Sequence, residues 1–129
     1  MALVDIMPWI AGLGFAVFAL YVAGKGQGVG MWTFPAGLSV AFFIWSLVAV
    51  LNEGLFGFWT EHTGNLWGNQ IWFDLLLAIG AAWAFMVPVA KQLGVRLLPW
   101  LVFILLTGSI GLTAFVVRVL YLKERKTLA

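Results

Sequence analysis

Four apolar stretches, each long enough to cross a bilayer as a helix, leave this chain few ways to fold. They run from about Ile6 to Gly24, Met31 to Leu51, Asn69 to Ala90 and Leu97 to Leu122. A bilayer core is crossed by roughly 20 helical residues. Open strands are excluded because they leave unpaired backbone groups in hydrocarbon. A transmembrane barrel is excluded because its strands alternate apolar and polar residues, and these runs are continuously apolar. The expected fold is all-α: one integral membrane four-helix bundle over residues 1–129, with an interfacial segment at 52–68. Composition agrees, since 64% of the 129 residues are hydrophobic and 9% are charged, against roughly 25% charged in soluble domains.

The same composition removes whole classes of function. The chain has no cysteine, which excludes disulfides, thiolate metal sites and iron–sulfur clusters. Its seven basic residues come with no soluble groove or stacking platform, so nucleic acid is not an expected partner. The N-terminus lacks the basic region of a signal peptide and carries Asp5 instead, so the first span is read as a retained helix.

The punctuation between spans fits helices. Lys25-Gly26-Gln27-Gly28-Val29-Gly30 reads as a flexible glycine-rich turn and Lys91-Gln92-Leu93-Gly94-Val95-Arg96 as a second short one. Pro8, Pro35 and Pro99 fall in first turns, where a missing N–H costs nothing. Pro88 is expected to kink or end the third span. Six of the eight tryptophans lie near span ends, as an aromatic belt at the headgroups requires. Trp45 and Trp83 lie deeper. They are expected to fill apolar space or to touch a flat ligand such as a carotenoid, quinone or pigment. The 52–68 segment mixes Phe56, Phe58, Trp59 and Trp67 with Glu53, Glu61 and His62, which suits a segment lying in the interface plane.

Four crossings put both termini, the 52–68 segment and the basic tail on one face, and the two short turns on the other. Arg118, Lys123, Arg125 and Lys126 then stand against Lys25, Lys91 and Arg96, a near tie that leaves the positive-inside rule undecided. All five acids and the single histidine fall on the tail's face under this topology.

Asp74 is the most informative residue. It lies about 7.5 Å below the start of the third span, where an acid normally faces the bundle interior and has a partner. Arg118, four residues before the end of the fourth span, is expected at the same depth as that partner. Small residues on the flanking stripes, Ala78 and Ala81 on one helix and Gly111 and Ala114 on the other, are expected to let the last two spans pack as a tight antiparallel hairpin. Such an ion pair pins registry, or Asp74 binds a head group or moves a proton.

Other polar groups are weaker candidates. His62 is a lone potential ligand for a metal, haem or chlorophyll, and a structural metal site wants several ligands; no metal site is expected. Asn69 is a candidate for holding a head group. Glu53 and Glu61 are candidate acid–base groups beside His62.

Trp67-Gly68-Asn69-Gln70-Ile71-Trp72-Phe73-Asp74-Leu75-Leu76, Leu98-Pro99-Trp100-Leu101, Thr107-Gly108-Ser109-Ile110-Gly111 and Leu120-Tyr121-Leu122-Lys123-Glu124-Arg125 together resemble an uncharacterised family of short bacterial four-helix membrane proteins, some labelled terpene-cyclase-like. The resemblance covers residues 67–125. It implies four helices and a multi-pass protein of the bacterial inner membrane, and it brings no catalytic residues.

Three functions follow as expectations. The first is a non-enzymatic accessory subunit of a larger membrane complex, redox or photosynthetic, packing against lipid, quinone or pigment, with membrane lipids and other subunits as partners. The second is an enzyme acting on an isoprenoid or lipid, with Asp74, Glu53 or Glu61 as proton donor. The third is a small oligomeric transporter built around Asp74.

Overall fold

The structure, a computed structural model, describes residues 2–25 and 29–129. Gly26, Gln27 and Gly28 of the expected flexible turn lie outside the described residues. The described residues form helices and no strands: α1 (Leu3–Lys25), α2 (Thr33–Glu53), α3 (Gly57–Gly64), α4 (Leu66–Gln92), α5 (Leu97–Thr107) and α6 (Ser109–Leu128). Three of them, α1, α2 and α4, are long and apolar enough to cross a membrane. Helix α3 lies inside the segment read as interfacial. Pro88 does not end its helix, since α4 continues to Gln92. Pro8 stands beyond the first turn of α1, because that helix already begins at Leu3.

The fourth expected span is not one helix. It breaks at Gly108, whose φ of 63° and ψ of −124° end α5 and begin α6. This backbone conformation is essentially reserved for glycine. The chain doubles back there. The rings of Trp100 and Phe115 are 5.6 Å apart, whereas in one straight helix the two residues would be separated by about 22 Å. The turn is held locally by Thr107. Its hydroxyl donates to the Phe103 carbonyl at 2.8 Å and accepts from the Gly111 N–H at 2.8 Å. Gly111 is buried, and a methyl group on it would come within 2.9 Å of the Ile104 backbone. Its small size therefore serves the approach of α6 to α5, not the expected approach of two spanning helices.

Folding back sets the direction of α6. It runs antiparallel to α2. Ser39 donates to the Ile110 carbonyl at 3.1 Å, Trp32 meets Tyr121 edge-on at 5.6 Å, and the Gly30 N–H donates to Glu124 Oε2 at 2.8 Å. It also runs parallel to the second half of α4, with Phe115 beside Trp83 at 5.2 Å and Arg118 to Leu122 beside Gln92 and Leu93. The core gathers here from Ala90, Ile104, Phe115 and Val119, with Phe115 wholly enclosed between Trp83 and Trp100. The last two expected spans thus form no antiparallel pair of crossing helices. The tail also sits at the opposite end from the one expected, beside the α1–α2 connection and the end of α4.

Helix α1 stands apart from this core. Its described contacts gather in its last turns, where Phe18 and Tyr21 meet Phe34 at 5.8 and 5.3 Å. None of its membrane-length window is buried.

Candidate functional site

Asp74 and Arg118 do not meet. Asp74 lies exposed in the third turn of α4, and Arg118 lies exposed on α6 beside Gln92 at the far end of the same helix. From Asp74 to Gln92 the helix rises about 27 Å. The expected pair presumed that residues 97–122 return along α4 from its end to its start. The reversal at Gly108 turns α6 round and carries Arg118 to the wrong end for that partnership.

The first cluster that the fold does assemble is the corner between α3 and α4. Asn65 ends one helix and caps the next, its Oδ1 accepting from the Gly68 N–H at 2.7 Å. This is the usual role of asparagine at a helix start. Gly68 is buried because the Glu61 carbonyl lies where a Cβ would be. Asn69 donates from Nδ2 to the His62 carbonyl at 2.5 Å. Its amide is engaged in closing this corner. His62 Nδ1 is 3.2 Å from the Gly68 carbonyl. A carbonyl only accepts, so this bond places the proton on Nδ1 and leaves Nε2 with its lone pair in the neutral ring. The imidazole lies 4.9 Å from the Trp72 ring, with Phe58 and Trp59 each within about 6.5 Å of Trp72. The corner thus sets one half-buried histidine against the rings of Trp72 and Phe58, with Trp59 packed on those two rings. Among the described residues no group of three His, Asp or Glu side chains surrounds a point where a metal ion would sit.

The remaining residues singled out from sequence are dispersed. Glu53 ends α2 and Glu61 lies in α3, both exposed. Trp45 is half-buried on α2, and Trp83 fills the core against Phe115. Glu124 leaves the other acids and binds the Gly30 N–H, so the acids do not all share one end.

A second cluster had no place in the sequence reading. Arg118, Tyr121, Leu122 and Arg125 repeat at helical spacing along one stripe of α6. With Lys126 they form one wall of an open groove of about 550 Å³, and Gln92 and Leu93 at the end of α4 form the other. Arg125 donates to the Tyr121 hydroxyl at 3.2 Å and lies 5.7 Å from that ring's centre. The stripe was legible as a pattern. Its facing wall was not, because it depends on the reversal at Gly108.

Comparison of the chain with family models, with curated proteins and with solved structures finds no match.

Proposed function

We propose that the protein is an integral membrane protein that acts as a non-enzymatic accessory subunit, packing in lipid and against a larger membrane assembly of the redox or photosynthetic kind. One observation carries this reading: α1 exposes large apolar side chains round its whole circumference. Leu3, Trp9, Leu13, Phe15 and Leu20 are all more than half exposed, and the helix touches the rest of the chain through its last turns. Water does not tolerate such a surface. Lipid does, and a neighbouring subunit covers it with better packing than lipid tails offer. The hydroxyls within the helices fit the same environment. Ser46, Thr63 and Thr113 each return their proton to a carbonyl one turn back, which leaves no bare donor facing hydrocarbon.

On this reading the chain crosses three times, through α1, α2 and α4. Helix α5 has 11 residues and is about 16 Å long, half of a core about 30 Å thick. The α5–α6 pair therefore dips into the membrane and returns to the side from which it entered. Three crossings and a re-entrant pair place the N- and C-termini on opposite sides. Extraction in a mild detergent, followed by identification of co-purifying proteins, tests the accessory role. A stoichiometric partner that is lost when α1 is replaced by an unrelated apolar span supports it. Isolation as a lone monomer overturns it.

A further inference from the structure

The reversal at Gly108 has an electrostatic result. Lys25 closes α1, Lys91 and Arg96 flank the α4–α5 turn, Arg118 lies at the middle of α6, and Lys123, Arg125 and Lys126 lie in its second half. All seven basic residues of the chain therefore belong to one end of the helix stack. That end is defined by the Gly30–Glu124 hydrogen bond, the Trp32–Tyr121 contact and the groove between α4 and α6. The opposite end holds Glu53, Glu61 and the aromatic corner, and no basic residue. What four straight spans left as a near tie becomes seven against none.

We infer that this basic end faces the cytoplasm and that the groove between α4 and α6 seats the phosphate of an anionic phospholipid of the inner leaflet. The inference rests on the membrane reading above. An excess of Lys and Arg near span ends marks the cytoplasmic side, and that leaflet's anionic lipids are drawn to basic clusters beside spans. The groove supplies the recognition. Arg118, Arg125 and Lys126 line it with no carboxylate among its lining residues. Arg125 is braced by the Tyr121 hydroxyl, which orients its guanidinium for a phosphate oxygen. The single acid nearby in sequence, Glu124, is occupied on the α2 side of α6 by the Gly30 N–H. Leu93 and Leu122 make the groove's walls partly apolar. Phe85, one heptad before Gln92 and so on the same face of α4, is 85% exposed. A headgroup in the groove would therefore have its acyl chains along an apolar helix face, which a soluble anion would not use.

The lack of cysteine in these 129 residues permits a clean test on this chain. Thr63→Cys and Thr127→Cys are made separately and treated in intact cells with a membrane-impermeant maleimide. Labelling of Thr63→Cys in intact cells, and of Thr127→Cys only after lysis, is the expected result; the reverse overturns the orientation. Alkaline carbonate extraction is run on the same cells. Release of the protein there overturns the membrane reading itself, whereas retention with reversed labelling overturns only this inference. For the seat, the purified protein is exchanged into mixed micelles of phosphatidylglycerol and phosphatidylcholine, and retained lipid is measured by mass spectrometry. Phosphatidylglycerol should be preferred, with the preference falling about fivefold for each of Arg118→Gln and Arg125→Gln and surviving in Arg118→Lys. Equal retention of the two lipids, or displacement of phosphatidylglycerol by inorganic phosphate alone, overturns the lipid seat.

Discussion

The two ends of this molecule are built on different principles. At the basic end, α4, α5 and α6 converge on Phe115, which has no exposed surface. At the acidic end, α3 and the first turns of α4 cluster their rings yet leave Phe58 50% and Trp59 53% exposed, with Trp67 at the start of α4 76% exposed. One end is ordered by packing between distant segments. The other is ordered by contacts within a single short helical corner. On the proposed membrane reading this contrast carries no penalty, because apolar rings can face lipid freely, whereas close packing there depends on fitted shapes.

That contrast is open to attack by substitution. Phe115→Ala strikes the packed end hardest. Removing an enclosed phenyl ring costs about 3–5 kcal/mol in soluble cores; if the protein lies in lipid as proposed, a loss near the lower figure is expected, since lipid then replaces water as the competing environment. Thermal unfolding in detergent measures it, and an unchanged midpoint would mean that the two ends do not differ in this way. Gly108→Val comes next, because a β-branched residue in that backbone conformation costs about 1–3 kcal/mol. The expected outcome is a loosened or straightened α5–α6 turn. With the orientation inferred above, it is read as a shift of Thr127→Cys toward labelling from the outer side in a doubly substituted chain.

Gly68→Ala probes the other end. The added methyl group meets the Glu61 carbonyl, and overpacking of this kind costs about 1–3 kcal/mol. The loss should stay local. Trp fluorescence should change at the corner that holds Trp59 and Trp72, with little movement of the global unfolding midpoint. A large global loss would show that the corner supports the whole fold. Asp74→Asn is expected to do least to stability, within about 0.5 kcal/mol, because the carboxylate is exposed and has no ion-pair partner among the described residues. A pronounced loss would restore the case for a pair with Arg118.

Much of the fold was legible without coordinates. The long apolar runs gave the helices α1, α2 and α4, and the mixed aromatic and acidic run at 52–68 marked where an irregular segment with α3 would lie. The candidate sites were less legible. Asn69 stood out as polar at a span start, but its engagement with the His62 carbonyl depends on how α3 meets α4. Arg118 stood out as a charge near the end of an apolar run, and it was assigned a partner by assuming a straight helix.

Helix content, helix placement and the scarcity of charge are local properties, and the sequence determined them by itself: hydropathy over about 20 residues decides whether a segment suits a bilayer. The direction of the chain after Gly108 is not local. A glycine in an apolar run permits a straight helix as readily as a reversal. The choice at Gly108 is made by what the reversal brings together, namely Phe115 between Trp83 and Trp100, Gly111 against Ile104, and Glu124 at the Gly30 N–H. Only the tertiary structure could therefore decide which end of the molecule carries the basic charge.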